Sequence, residues 1–230
     1  MAQSQNRLLA SLPSNAAAVI RPHLKRVELK LGDVLSEAGS VIKRVYFPNS
    51  GIISLVVDLS AGQMIETAMV GRDGVLHAAS ALGGIVSPNK SIVRLAGAAS
   101  VIGADQIRKI ADKIKFFRSI LIRHDQALFA QSQQSAACNA SHSIEARLCR
   151  WLLRMRDLLG REDLSLKQEV LAQMLGVQRS SVSMAANTLQ KAGFIKYHRG
   201  NIRIIDLRGL KKGSCECYAT VKAHYKQLIG

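Results

Sequence analysis

Residues 167–189 read Lys167-Gln168-Glu169-Val170-Leu171-Ala172-Gln173-Met174-Leu175-Gly176-Val177-Gln178-Arg179-Ser180-Ser181-Val182-Ser183-Met184-Ala185-Ala186-Asn187-Thr188-Leu189, the pattern of two helices broken at Leu175-Gly176-Val177. The first helix brings Val170, Leu171 and Leu175 onto one face for burial. The second buries Val182, Ala186 and Leu189 and leaves Gln178, Arg179, Ser180, Ser183, Met184 and Asn187 on the opposite face. Gly176 supplies the backbone freedom of a tight turn, and Ala172 is small where the helices cross. The polar face of the second helix is therefore available to enter a DNA groove.

Downstream, Phe194-Ile195 and Ile202-Arg203-Ile204-Ile205 have strand character, and His198-Arg199-Gly200-Asn201 between them is a turn with a cation at its tip. Two helices followed by such a hairpin make a winged helix the preferred reading, against an ordinary helical pair with an unrelated hairpin. Charge supports it. The 230-residue chain carries a formal charge of +16, which attracts polyanions and can displace condensed counterions from DNA. Arg179, Lys191, Lys196, Arg199, Arg203, Lys211 and Lys212 concentrate cations in the last third, where Glu169 and Asp206 are the only acids between Leu164 and Lys212.

The remaining chain is long enough for a second modest domain. Pro13, Pro22, Pro48 and Pro88 all lie early, and neither Gly nor Pro occurs between Gly103 and Gly160, so a turn-rich β region should precede a helical connector. Short apolar strands separated by Gly, Asp, Asn and Ser turns within Leu29–Gly39 and Val45–Val57, with further short segments at Gln63–Val70, Val75–Ala81, Ser91–Leu95 and Ala99–Ile102, suggest a jelly roll, preceded by helix near Asn15–Leu24. The connector should run from Phe116 to about Asn139, with Leu121, Leu128 and Ser135 in heptads and Ile122, Phe129 and Ala136 beside them. That stripe can pack against its own copy; packing on its own β-roll is the alternative. Leu121, Leu128, Phe129, Ser132 and Ser135 are the expected interface. A further helix, Ala146–Leu159, should place Leu148, Trp151, Leu152 and Met155 in the winged-helix core. Met1–Leu12 lacks an apolar run of signal-peptide length, and no stretch is apolar for a membrane-spanning length, so a soluble cytoplasmic protein is expected.

The β-roll signals Gly32-Asp33, Gly39 and Tyr46-Phe47-Pro48-Asn49-Ser50-Gly51, the long helices, and Gln168-Glu169 through Gly176 with Arg179-Ser180-Ser181-Val182 together resemble the Crp/Fnr family of transcription regulators. Gly71-Arg72-Asp73-Gly74 and Ser214-Cys215-Glu216-Cys217-Tyr218 look like a little-characterised bacterial branch. The resemblance covers nearly the whole chain and implies an α+β protein: a cyclic-nucleotide-binding-like sensor over 1–115, a dimerisation helix over 116–139 and a winged helix-turn-helix over 140–230. It also implies a homodimer on a palindromic operator, with RNA polymerase as a further partner. Carried over by alignment, Arg179 meets a guanine edge and Ser180 a neighbouring base, and Met184 stands where relatives often have another arginine. Gln168, Gln178, Ser181, Ser183, Asn187 and Arg199 complete the expected DNA contacts.

The sensor departs from the family's cyclic-nucleotide site, where a Gly-Glu pair holds the ribose and an Arg-Ser pair the phosphate. No glutamate stands near Gly74-Val75-Leu76-His77-Ala78-Ala79, and the later pair is matched by Lys90-Ser91. A lysine lacks the two-pronged guanidinium fork. His77, Lys90 and Ser91 are the candidate effector residues; the expectation is a small molecule other than a cyclic nucleotide, a response through Cys215/Cys217, or no ligand, against the alternatives that Lys90-Ser91 is a variant phosphate site or that His77 and Lys90 are ordinary barrel and loop residues.

No cysteine precedes Cys138, unlike relatives with an amino-terminal cysteine cluster. Cys138 and His142 stand one helical turn apart and could share a face, and Cys215 and Cys217 straddle Glu216, but neither has a four-ligand metal spacing. Inert buried thiols are expected, with no metal and no cofactor; a reactive Cys215/Cys217 pair is the alternative. Asp33, Glu37, Glu66 and Asp73 are scattered without a nucleophile or phosphate loop, which argues against an enzyme. The competing function is a ligand or redox sensor that acts mainly through a protein partner.

Overall fold

The computed structural model describes residues 5–60 and 62–229. They divide into two compact units, one of 5–56, 68–130 and 224–229, the other of 57–60, 62–67 and 131–223. The long connector helix passes from the first to the second after residue 130, a division that the boundaries expected at 115 and 139 do not anticipate.

The first unit opens with α1 (Arg7–Ala10) and α2 (Ser14–Ile20). Asn6 caps α1 by accepting from the Leu9 N–H, while its amide donates to the carbonyls of Pro48 and Gly74 at 2.8 and 2.9 Å. Seven strands follow: β1 (Lys25–Leu29), β2 (Val34–Ser36), β3 (Arg44–Pro48), β4 (Ile52–Asp58), β5 (Met64–Val70), β6 (Lys90–Leu95) and β7 (Gly97–Gly103). They form two antiparallel sheets, ordered β1-β7-β3 and β2-β6-β4-β5, the β-roll expected from the alternation of short apolar runs and turns. Gly97 is required where β6 turns into β7, because a Cβ there would collide with the Ser50 backbone. The expected strand over Val75–Ala81 is absent. Only Leu76 bridges to Tyr46, after which His77 takes a left-handed backbone (φ 68°) and a 3₁₀ turn covers Ala78–Leu82; a left-handed residue ends extended structure.

Helices α3 (Ala104–Lys113) and α4 (Lys115–Ser141) complete the first unit's core. Phe117, Ile120 and Leu121 of α4 join Leu8, Ile20, Val45, Phe47, Ile102 and Ile107 in one apolar cluster, and Leu128 packs on a second around Leu29, Tyr46, Ile53 and Val93. One row of α4 therefore faces its own β-roll.

The second unit contains α5 (Ile144–Leu159), β8 (Asp163–Ser165), α6 (Gln168–Leu175), α7 (Arg179–Lys191), β9 (Ile195–His198), β10 (Asn201–Ile204), α8 (Leu207–Gly213) and the start of α9 (Cys217–Ile229). Ser143 caps α5 by accepting from the Ala146 N–H, so the helix begins at Ile144, two residues before the start read from sequence. Leu148, Trp151, Leu152 and Met155 are buried as expected, each such side chain stabilising the fold by about 1.5–3 kcal/mol relative to exposure. Leu171, Leu175, Val182, Ala186 and Leu189 are buried too, whereas Val170 is only half-buried and Met174 and Ala185 lie inside. Helix α6 stops at Gly176, whose φ of 61° lets the Val177 N–H reach the Ala172 carbonyl at 3.1 Å. The wing is a three-stranded sheet, β8-β10-β9. Its hairpin pairs His198 with Asn201 across Arg199 (φ 45°) and Gly200 (φ 81°), the two left-handed residues of a tight type I′ turn.

Candidate nucleic-acid interface

The outer face of α7 is built from side chains that the core does not use. Gln178, Arg179, Ser180, Met184 and Asn187 are exposed; Ser181 and Ser183 are half-buried, and the Ser183 hydroxyl donates to the Arg179 carbonyl at 3.1 Å. Gln178 occupies the N-cap with extended backbone but makes no side-chain cap bond, which leaves its amide available. Arg179, the first residue of α7, remains 65% exposed although its Nε donates to Gln168 Oε1 at 3.1 Å and its Nη1 lies 2.9 Å from the Glu169 carboxylate. Two residues from the first turn of α6 thus orient the guanidinium without burying it. A groove of 430 Å³ runs from Lys167, Gln168 and Arg179 to His198, Arg199 and Gly200 at the wing tip. Burial, and next the Glu169 carboxylate, push the Tyr197 phenol up, so it stays a neutral hydrogen-bonding group beside the groove. Lys191, Lys196, Arg203, Lys211 and Lys212 are all exposed.

This arrangement, two helices with a cation at the start of the second and a wing beside it, agrees with a match of residues 146–212 to the family model of the Crp-like helix-turn-helix domain. Residues 146–212 are a Crp-like helix-turn-helix domain. Likeness extends beyond the Crp-like domain. The transcriptional regulatory protein btr of Bordetella pertussis is 22% identical over 215 residues, 87% of this chain and 86% of that protein. The structure of FixK2 from Bradyrhizobium japonicum superposes with a TM-score of 0.73 at 14% identity, over 84% of this chain and 98% of its own. TTHB099, a CRP-family transcriptional regulator of Thermus thermophilus, gives 0.67 at 17% identity, over 82% and 96%. The fold is that of Crp/Fnr regulators: β-roll, long helix and Crp-like domain. No helix among the described residues is long and apolar enough to cross a membrane.

The three candidate effector residues do not converge as one site. His77 Nδ1 donates to the Arg44 carbonyl at 3.0 Å, and its Nε2 lies 3.0 Å from the Ser36 hydroxyl, which is also 3.0 Å from the buried Ser91 hydroxyl. Burial holds the His77 imidazole below its ordinary value, against the smaller opposing effect of the Arg44 carbonyl. Lys90 stands apart, 3.6 Å from the Glu37 carboxylate. A cavity of 250 Å³ includes Ser36, Lys43, Arg44, Tyr46 and His77 in its wall, but neither Lys90 nor Ser91.

On α4 the expected dimer residues separate. Leu121 is fully buried in its own unit, Ser135 is buried, and Leu128 and Ser132 are half-buried, whereas Phe129 is 65% exposed. The outward row is one residue further on: Ser119, Ile122, Gln126, Phe129, Gln133 and Ala136 are exposed at alternating spacings of three and four. Leu121 is thus corrected from interface to core, and the adjacent Ile122 and Phe129 face out.

The cysteines also regroup. Cys138 Sγ lies 3.5 Å from Cys215 Sγ, Cys217 Sγ lies 3.6 Å from His142 Nδ1, and the four ligand atoms are all within 4.8 Å of one another. A hydrogen bond with Cys215 holds the Cys138 thiol below its ordinary range, while Cys215 is pushed up by that same bond and by burial. Cys149 is not in the group; burial pushes its thiol up to about 12. The one-turn spacing of Cys138 and His142 was legible in the sequence, but the return of Cys215 and Cys217 to that turn was not.

Proposed function

We propose that this protein is a homodimeric, sequence-specific DNA-binding transcription regulator that lays α7 of each protomer in the major groove of an inverted repeat. The observation that carries this reading is Arg179: a guanidinium on the first turn of the second helix, exposed yet oriented by Gln168 and Glu169. A guanidinium so held can meet O6 and N7 of a guanine with two parallel hydrogen bonds. Gln178, Ser180 and Asn187 add polar contacts on the same face, and Met184, an exposed thioether, offers an apolar contact suited to a thymine methyl. Arg199 and the exposed lysines contact phosphates, which position the domain without reading sequence.

The partner copy is proposed to pack along Ile122, Phe129 and Ala136 of α4, with Ser119, Gln126 and Gln133 at the alternate positions. Apolar and small residues at one heptad position and polar ones at the other make a weak seam that permits the helices to shift. Two recognition helices related by that axis reach successive major grooves about 34 Å apart. The signal is proposed to act at the end of the β-roll around His77, through a molecule other than a cyclic nucleotide, since the Lys90 charge is already engaged by Glu37. Selection from random duplexes with the full chain, followed by sedimentation of the complex, tests the reading. An enriched inverted repeat bound by two chains is expected; absence of a consensus, or one chain per site, contradicts it.

A further inference from the structure

The thiol and imidazole groups at the end of α4 lie beside those at the start of α9. Cys138 and His142 project from one face because they are one turn apart, and the His142 N–H donates to the Cys138 carbonyl at 3.1 Å. Cys215 lies in the loop after α8 and Cys217 opens α9. These residues flank the Crp-like domain on both sides, so none of the four belongs to the DNA-reading face.

We propose that Cys138, His142, Cys215 and Cys217 together bind a single Zn²⁺ ion. Tetrahedral zinc, with Zn–S of about 2.3 Å and Zn–N of about 2.0–2.1 Å, sets its ligand sulfurs about 3.8 Å apart and a sulfur and nitrogen about 3.6 Å apart. Cys138 and Cys215 are separated by 3.5 Å, and Cys217 and His142 Nδ1 by 3.6 Å. All four atoms lie within 4.8 Å of one another, a group small enough for one ion rather than a cluster whose thiolates attach to separate irons. Three thiolates with one imidazole form a soft tetrahedral set that selects zinc over magnesium or calcium.

The surroundings also match a metal site. His142 turns Nδ1 toward Cys217 while its Nε2 lies 3.2 Å from the Glu216 carboxylate, the carboxylate–histidine pairing that fixes a ligating ring. The Gln134 amide donates to Cys217 Sγ at 3.0 Å, a contact suited to anionic sulfur. Arg147 and Arg150 of α5, both buried, bring positive charge to the same unit as three thiolates whose charge exceeds that of a dication. Zinc would clamp the end of α4 to the start of α9.

The test uses the full chain, purified under reducing conditions, equilibrated with Zn²⁺, desalted and analysed by mass spectrometry for metal content. One zinc per chain is expected, and Co²⁺ in its place should show thiolate charge-transfer bands and the intense visible bands of tetrahedral coordination. Cys149→Ala should retain the metal, whereas Cys138→Ser and Cys217→Ser should lose it. Glu216→Gln keeps every ligand and the fold, and should weaken zinc in chelator competition by roughly 10–100-fold. Absence of stoichiometric zinc, preference for iron over zinc, a metal-free Cys138–Cys215 disulfide under the same conditions, or equal loss of metal in Cys149→Ala would each overturn the proposal. Unchanged affinity in Glu216→Gln would overturn the assignment of Nδ1 as the ligand nitrogen.

Discussion

The face of α7 and the end of the β-roll differ in what their polar groups already do. Around His77 the side chains satisfy one another: Ser36 links His77 to Ser91, and Glu37 pairs with Lys90. On α7, Gln178, Ser180 and Asn187 stand exposed, and Arg179 is oriented by its neighbours yet still open to solvent. Groups bonded only among themselves stabilise a fold. Groups oriented and left exposed are preorganised for a partner, because less side-chain freedom is lost when it arrives. On this ground we propose recognition at the exposed face of α7 rather than at the mutually bonded groups around His77.

Three substitutions test that contrast, in decreasing order of effect. Phe129→Glu places a charge in the proposed seam of α4 and should yield monomers in sedimentation. If a single recognition face binds weakly without its copy, operator affinity should fall by about 10²–10⁴-fold; a dimeric variant with native affinity would place the interface elsewhere. Arg179→Ala should raise the free energy of operator binding by about 1–3 kcal/mol and relax preference at one base pair per half-site, with little change on random DNA. Arg199→Ala should weaken both alike and reduce the salt slope by about one per contact; equal losses for the two variants would erase the distinction between reading and positioning.

The smallest effect belongs to the β-roll. His77 titrates below its ordinary value of 6.5 in the folded protein because of burial. The unfolded chain therefore takes up the proton first as pH falls, so the contribution of His77 to stability is present above that value and is lost on acidification through it. His77→Gln should flatten the fall in unfolding free energy between neutral and mildly acidic pH, measured by denaturant titration; an unaltered slope would show that the imidazole is not held neutral.

Legibility in the sequence followed the range of the interactions. The helix-turn-helix was readable because its turn glycine, buried periodicity and polar face lie within residues 167–189 and depend on local geometry. Strand β8 was missed, since three residues carry no period. The run Val75–Ala81 is apolar enough for a strand, but the left-handed His77 and its bond to Arg44 redirect it. On α4, composition marked Leu121 and Leu128 and their neighbours Ile122 and Phe129 equally; only the β-roll packed against the helix decides which row turns inward. Cys138 and Cys215 meet across 77 residues, a separation that no spacing rule bridges.

Genome-wide footprinting of the native protein at low and at raised salt tests the central claim, that the face of α7 reads sequence as part of a dimer. Sharp protected inverted repeats that persist as salt rises are the expected result. Diffuse coverage that fades uniformly with salt would mean that the +16 chain binds DNA only as a polyanion, and would contradict it.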